Sequence, residues 1–363
     1  MNIEKFNKLA LDLSSENTTK KIIPTFQSVI KNLQNIINQP QQPQHQTTLT
    51  ENLNNLYAAL DNSLVNELSP AWYQLLIDLK IDDMFGNNLI ERIKKIIATN
   101  NITPASAKID LDILFSKLNK IISSFTQIAA GLQYFNVGLD ELAKGECEIG
   151  ILIPRSSIEN NLENLKDEIV ELTFILNNFS ELFSGEKQRY ELKTLSTTDP
   201  LITVGTLIGI AAGFAKAVGY IIDNYKKLLE IKKLKNELEN QGLPADSLQG
   251  IKKYCNEYME KKIKELMIEF EKDCNLITEE NRKQEVLNGV SISLNKIANR
   301  VDRGYNFEVR VNEPPYHEED EKSENDEEIK KIAAQYFEIQ SSSKMMQFLK
   351  TEIDPILKLP ELL

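Results

Sequence analysis

The residue types that most often perform catalysis or bind metals are sparse in this 363-residue sequence. Its two histidines, His45 and His317, lie in a Gln/Pro-rich segment and in an acidic segment, so a histidine-based triad or metal site is not expected. Phosphate-binding loops, dinucleotide-binding glycine motifs, zinc-protease motifs and nucleophile elbows are all missing from the sequence. We therefore expect a non-enzymatic protein with no catalytic residue, no cofactor and no metal site.

The three cysteines, Cys147, Cys255 and Cys274, are odd in number and have no metal-type spacing. Cys255 and Cys274 fall on one predicted helix, too far apart for a disulfide bond. Reduced thiols in a cytoplasmic protein follow from this pattern. The first twenty residues also lack the continuous apolar stretch of a signal peptide, which agrees with that expectation.

The net charge of −12 bears on the class of partner. Proteins that bind duplex nucleic acid draw their affinity from Lys and Arg side chains that neutralise phosphates, and acidic residues predominate here. Hydrophobic residues make up 41% of the chain and charged residues 26%, values typical of a globular protein. We therefore expect no duplex nucleic-acid partner.

One segment, residues 200–222, is apolar except for a single lysine. Asp199 and Pro200 before it are typical of a helix start, so the sequence predicts one helix over the whole segment. Its glycines and its lysine are Gly205, Gly209, Gly213, Lys216 and Gly219. The first three glycines recur every fourth residue, which on a helix would place them on one face and allow a second backbone to approach closely.

Two interpretations of this segment stay open. A helix of its length would measure about 33 Å, close to the roughly 30 Å hydrocarbon core of a bilayer. Its apolar residues favour insertion by about 3 to 6 kcal/mol, whereas Lys216 costs up to about 3 kcal/mol at mid-bilayer. In water, each glycine costs a helix roughly 1 kcal/mol, which tight packing in a bundle would offset. The sequence favours a buried central helix, with a membrane-inserting helix as the alternative.

A second long pattern runs from residue 158 to residue 183, where apolar residues alternate at spacings of four and three. These residues are Ile158, Leu162, Leu165, Ile169, Leu172, Leu176, Phe179 and Phe183. The spacing predicts the seam of a coiled coil, with charged residues on both flanks. Ser156 and Glu159 fit a capping box before the helix, and Gly185 fits its C-terminal end. We expect one narrow face to meet a partner helix, in the same chain or in a second copy.

The remaining patterns predict a mainly α fold, namely an elongated multi-helix bundle with coiled-coil-like long helices and a small antiparallel β element. About three short strands are expected, at Glu146–Pro154, Tyr190–Thr197 and Tyr305–Val311. The expected segments are an N-terminal helical segment 1–38, a Gln/Pro-rich linker 39–47, a helical region 48–145, a core 146–312, an acidic loop 313–328 and a C-terminal helical segment 329–363.

These features favour a non-enzymatic helical scaffold or interaction module that binds a protein partner, or itself, through its helices. The alternative is a membrane-active effector, similar in general plan to α-helical pore-forming proteins, that inserts residues 201–222 after a trigger. The glycine spacing favours the alternative, and the marginal insertion energy opposes it. Under the alternative, the cytoplasmic protein would associate with a membrane once triggered.

Overall fold

A computed structural model describes residues 2–100, 103–196, 199–241, 249–314, 326–350 and 355–362. Within these ranges the chain forms eleven α-helices and one sheet of four antiparallel strands. The predicted fold class, mainly α-helical with a small antiparallel element, is confirmed. Most of the predicted acidic loop at 313–328, including His317, lies outside the described ranges.

By its internal contacts the chain divides into two compact units. Unit 1 comprises residues 1–68 and 72–141, and unit 2 comprises residues 69–71 and 142–363. Each unit has its own apolar core, formed in unit 1 around residues such as Phe26, Leu56 and Ile93. The segments predicted to carry chemistry or interactions all belong to unit 2.

Unit 1 is helical throughout its regular structure. Its helices are α1 (Ile3–Lys20), α2 (Ile22–Asn38), α3 (Pro43–Asp61), α4 (Pro70–Asp78, whose first two residues are counted with unit 2), α5 (Gly86–Thr99) and α6 (Pro104–Tyr134). The predicted linker at 39–47 is wrong from Pro43 onward, because this proline begins α3. A proline at the first helical position lacks only an N–H group that would have had no partner in the helix.

Unit 2 combines helices with the sheet. Its helices are α7 (Leu162–Ser184), α8 (Ile208–Asn240), α9 (Gln249–Asp273), α10 (Glu280–Asp302) and α11 (Asp326–Ser343), and its strands are β1 (Cys147–Leu152), β2 (Glu191–Leu195), β3 (Leu201–Thr206) and β4 (Asn306–Val311). Helix α8 packs against the four other helices and against β1 and β4. Its side chains Ile210, Phe214, Val218 and Ile221 have no solvent exposure. Helix α8 is therefore the centre of unit 2.

The sheet contains the three predicted strands and one more. Its order is β2-β3-β1-β4, so β3 lies between β1 and β2. Along β1, Cys147, Ile149 and Ile151 alternate with residues of the opposite face and enter the apolar core. The side of the sheet that carries these three residues thus packs against the helices of unit 2.

The extra strand, β3, corrects the prediction of one helix over residues 200–222. The six residues Leu201–Thr206 pair with β1 on one side and with β2 on the other. Four of these residues are β-branched and favour a strand, namely Ile202, Thr203, Val204 and Thr206. Because β3 lies between β1 and β2, the backbone groups on both of its edges have hydrogen-bond partners. Asp199 and Pro200 therefore precede a strand, and the helix begins only at Ile208.

The ends of α7 differ from the prediction at one terminus. The capping box of Ser156 and Glu159 is wrong, since the side chain of Asn161 accepts a hydrogen bond from the Glu163 amide and caps the helix. Glu159 has a left-handed backbone with φ of 52°, outside the helix. At the other end Gly185, with φ of 81°, forms the predicted C-terminal cap.

All three cysteines of unit 2 are free thiols, and all are buried. Burial raises the pKa of the Cys147 thiol to about 12, and it also raises the pKa of Cys255 and of Cys274. A thiol whose pKa is four units above the pH is ionised in only about one molecule in ten thousand, and the thiolate is the reactive form.

We expect the folded protein at about pH 8 to consume almost no Ellman's reagent over minutes, and to consume three equivalents per chain in denaturant, one for each thiol. Ser123, exposed on α6, gives a matched control, because a Ser123→Cys variant should react at once with one additional equivalent. Rapid reaction of the unmodified folded chain would contradict the burial of these thiols.

Candidate interaction surfaces of unit 2

Helix α7, which carries the predicted seam, packs against α10 within unit 2. Helix α10 runs antiparallel to α7 and is joined to it by charged and polar pairs. These pairs are Glu168 with Arg300 at 2.6 Å, Glu171 with Lys296, Asn178 with Ser293 at 3.1 Å, and Glu181 with Arg282 at 2.5 Å. The side chain of Arg300 is almost completely buried. Beside it, burial raises the pKa of Tyr305.

The eight predicted seam residues fall into three groups. Ile158, which precedes α7 in a short 3-10 turn, is buried together with Leu172, Leu176 and Phe179. Leu165 and Phe183 are half-buried against the same core. Leu162 and Ile169 remain exposed, since the buried residues of α7 begin only at Leu172.

The first half of α7 therefore carries an open stripe of apolar side chains. Its members and exposed fractions are Leu162 81%, Ile169 41%, Val170 61% and Phe174 39%. Lys166 lies in the same row, between Leu162 and Val170, and pairs with Asp167 at 3.0 Å, while Glu163 is exposed beside the stripe. Sequence reasoning missed Val170 and Phe174, which lie eight and twelve residues after Leu162 and thus follow a spacing of four on a neighbouring face of the helix.

The glycines of the apolar segment do not share one helix face. Gly205 lies in β3, opposite Glu148 of β1 and Glu191 of β2. The other three glycines lie on α8. The predicted three-glycine face is therefore wrong, because the chain changes from strand to helix between Gly205 and Gly209.

On α8 the glycines permit close approach within unit 2. A Cβ atom added at Gly213 would lie 2.1 Å from the ring of Phe183, the last seam residue of α7. At Gly219 it would lie 3.2 Å from the backbone oxygen of Ser342 on α11. At Gly209 it would lie 3.1 Å from the side-chain amide of Gln335 and 3.9 Å from the backbone oxygen of Phe183. The two features singled out from the sequence thus meet where Phe183 packs on Gly213.

Lys216 is half-exposed within a stretch of α8, from Ile210 to Gly219, whose other residues are all buried. Its ammonium group pairs with the Glu269 carboxylate at 2.8 Å and lies 5.9 Å from the centre of the Phe270 ring. Both partners belong to α9. The single charge in the apolar segment is therefore matched at the surface of the unit.

A cleft of about 420 Å³ opens beside the glycines, between α8, α11 and the residues that follow α9. Charged groups of both signs line it, among them Lys216, Asp273, Lys331 and Glu338. Ligand sites usually combine an apolar wall with a few convergent polar groups. This cleft is open and has charged groups of both signs in its lining, so it does not resemble such a site. No group of three or more His, Cys, Asp or Glu side chains within the described ranges is arranged to hold a metal ion.

The most completely buried charges of unit 2 form a cluster around Asp302 at the end of α10. Its Oδ1 atom accepts hydrogen bonds from Tyr225 at 2.7 Å and from Lys232 at 2.9 Å, and the Asp302 and Lys232 side chains have no solvent exposure. Burial, reinforced by the Asp302 carboxylate, raises the pKa of Tyr225. Lys232, one of five lysines between residues 226 and 235, is thus an internal countercharge.

The second carboxylate oxygen of Asp302 holds the C-terminal segment 355–362, here called the tail. It accepts hydrogen bonds from the backbone amides of Ile356 and Leu357, each at 2.6 Å. One carboxylate therefore receives four donors, from α8 and from the tail. Sequence reasoning missed this site, because an aspartate at a helix end and a lysine in a basic run give no signal of their pairing.

Comparison with known proteins gives no match, whether to a protein family, to a curated protein or to a solved structure. Among the helices in the described part of the chain, none combines the length and the apolar character needed to cross a bilayer.

The contact of Phe183 with Gly213 predicts that a larger residue at position 213 destabilises the fold. We expect Gly213→Ala to destabilise the chain by about 1 to 3 kcal/mol, because the added methyl group overlaps an aromatic ring held between helices. Gly250→Ala is the control, since its methyl group meets no atom within 4 Å and should leave stability unchanged or raise it by up to about 1 kcal/mol. Urea unfolding measures both, and equal effects would contradict close packing at Gly213.

The Asp302 cluster gives a second test. Asp302→Asn removes the countercharge of Lys232, and leaving a buried ammonium group unpaired should cost about 3 to 5 kcal/mol. A chain with both Lys232→Met and Asp302→Asn should recover part of that loss. The control is Asp223→Asn, which breaks an exposed pair with Lys227 and should cost less than about 0.5 kcal/mol. Similar unfolding free energies for the two aspartate variants would contradict the buried pairing.

Proposed function

We propose that this chain is a non-enzymatic helical interaction protein that associates with a second copy of itself through the open stripe of α7. The observation that carries the proposal is the exposure of Leu162, Val170 and Ile169 on a helix whose opposite side is fixed to α10. Because α7 is already held by buried pairs such as Glu168 with Arg300, a partner would meet a preformed surface and little ordering would be required.

The charges beside the stripe favour a second copy as the occupant. If two α7 helices pair antiparallel about an axis near residue 168, Leu162 of one copy lies opposite Phe174 of the other. The same arrangement places Lys166 of one copy opposite Val170 of the other, with Asp167 of that other copy within one helical turn. The surface is therefore complementary to itself in both apolar and charged groups, as a two-fold interface requires.

The size of the stripe limits the strength of this association. From Leu162 to Phe174 it spans about 18 Å of helix, and it carries only four apolar side chains. Interfaces that bury less than about 1,200 Å² in total are weak and transient. We therefore expect a reversible dimer with a dissociation constant in the micromolar range or above, which suits an assembly controlled by local concentration.

Two other interpretations carry less support. The membrane-active alternative depended on one apolar helix from residue 201 to residue 222, and that segment is divided between β3 and α8. For an enzyme, no convergent set of polar groups in the described cleft favours a particular reaction. A reducing, cytoplasmic location is part of the proposal, supported by the three free thiols.

Sedimentation velocity over about 5 to 300 µM protein tests the proposal, a range that covers weak association. We expect the weight-average sedimentation coefficient of the unmodified chain to rise with concentration. A chain with both Leu162→Glu and Val170→Glu should stay monomeric, because two buried carboxylates would be unpaired in the interface. Ile113→Glu, at a site on α6 that is 65% exposed, is the matched control and should behave as the unmodified chain does.

A charge exchange tests the antiparallel geometry. Lys166→Asp alone and Asp167→Lys alone should each weaken the association, and the two together should restore it, because both members of each intermolecular pair are then reversed. A chain that stays monomeric at every concentration, or an association that the Leu162 and Val170 changes leave untouched, would contradict the proposal.

A further inference from the structure

The tail is an extended segment held on unit 2 by side chains in place of a regular strand or helix. Asn299 of α10 contacts both sides of one tail residue, since its Oδ1 atom accepts from the Leu359 amide at 3.0 Å and its Nδ2 atom donates to the Leu359 carbonyl at 3.1 Å. Asn256 of α9 makes a similar pair, accepting from the Lys358 amide at 2.7 Å and donating to the Ile356 carbonyl at 3.4 Å. These amides bind backbone atoms, as a neighbouring strand would.

Two further contacts extend the same groove along α10. Asn295 donates to the Pro360 carbonyl at 2.8 Å, and Asp302 accepts from two successive tail amides. Four polar side chains on α9 and α10 thus follow the backbone of the tail. We name this set the tail groove, defined by Asn256, Asn295, Asn299 and Asp302.

The side chains of the tail supply specificity. Ile356, Leu357 and Leu359 are buried in the core of unit 2, whereas Lys358 and Pro360 face solvent. Backbone bonds that any sequence can make, combined with pockets for particular apolar side chains, are the usual arrangement by which proteins recognise extended peptides. The pattern read by the groove is two adjacent aliphatic residues, one exposed residue, a third aliphatic residue, a proline and a glutamate, since the Glu361 carboxylate accepts a hydrogen bond from Asn299 at 2.7 Å.

The groove is organised independently of the tail. The Oδ1 atom of Asp302 is fixed by Tyr225 and Lys232 of α8, and only its Oδ2 atom receives tail amides. Departure of the tail would therefore leave the carboxylate oriented and its charge compensated. Since the tail belongs to no helix or strand, its departure would break no regular secondary structure.

We propose that the tail groove is an exchangeable peptide-binding site, which the chain's own tail occupies and thereby blocks. Its ligand in trans is an extended peptide with the aliphatic pattern of Ile356, Leu357 and Leu359 followed by proline. The tail thus acts as an intramolecular inhibitor of this surface. The groove shares no residue with the open stripe of α7, although Lys296 lies over the Phe174 ring of the stripe and 3.8 Å from Glu361 of the tail. Peptide binding to the groove requires no self-association, so the two proposals are tested separately.

Fluorescence anisotropy of a labelled peptide with the sequence of residues 355–363 tests the inference. The receptor is the full chain with both Leu357→Ser and Leu359→Ser, which weakens the covalently attached competitor and leaves the groove intact. We expect this variant to bind the peptide at least ten times more tightly than the unmodified chain does, because the attached tail competes at an effective concentration of about millimolar.

Two matched controls separate groove binding from non-specific adhesion. A labelled peptide carrying the same two Leu→Ser changes should not bind. Adding Asn299→Ala to the receptor should weaken binding of the unaltered peptide about tenfold or more, because both bonds to the Leu359 backbone are lost. A folded receptor variant that fails to bind, or that binds both peptides equally, would overturn the inference.

Native-state hydrogen exchange gives a second measurement that needs no altered tail. If the tail is exchangeable, the amides of Ile356, Leu357 and Leu359 open with a smaller free energy and a weaker denaturant dependence than the core amides of α8, because departure of the tail exposes less surface than global unfolding does. If those three amides exchange only by global unfolding, the tail is a permanent part of the core and the inference fails.

Discussion

The enclosure of α8, almost complete from Ile210 to Tyr225, is the constraint on which the rest of unit 2 depends. A helix enclosed by four others and a sheet has no room for large side chains where its neighbours come closest, and Gly213 and Gly219 lie at two such contacts. A charge on such a helix must either reach solvent, as Lys216 does, or meet a countercharge inside, as Lys232 does with Asp302. The closely packed glycines and the buried pair of Lys232 with Asp302 therefore both follow from the burial of α8.

This enclosure also determines which surfaces remain for other molecules. Because α8 and α10 cover the second half of α7, the apolar seam continues into solvent only over its first half, where Leu162 and Val170 are exposed. At the end of α10, Asp302 links α8 to the tail, so the buried carboxylate that compensates the charge of Lys232 is also part of the tail groove. One core thus organises two separate surfaces, both formed by helices.

The sequence predicted those elements whose pattern is local. Helix α6 and three of the four strands were evident from periodicity, caps and β-branched runs, and Gly185 marked the end of α7. Strand β3 was missed because Asp199 and Pro200 are typical of a helix start, while its pairing with β1 and β2 depends on residues more than forty positions away on one side. The local sequence at Asp199 and Pro200 favours the start of a helix, but long-range pairing makes the residues that follow a strand.

The open stripe of α7 and the tail groove were less predictable, because they too depend on long-range contacts. The repeat of α7 indicates that one face is apolar, but which half of that face α10 covers depends on the packing of the whole unit. The pairing of Lys232 with Asp302 joins residues seventy positions apart, and the tail groove joins α9, α10 and the chain end. Such sites arise from tertiary structure, and the single sequence carries no pattern for them.

The central claim is that α8 is a permanent core helix and not a segment stored for release. Hydrogen–deuterium exchange of the full chain, with and without anionic phospholipid vesicles, tests it most directly. The enclosure of α8 predicts that amides from Gly213 to Tyr225 remain among the slowest in the protein and that vesicles leave their exchange unchanged. Faster exchange of this stretch on addition of vesicles, together with protein bound to the lipid, would contradict it.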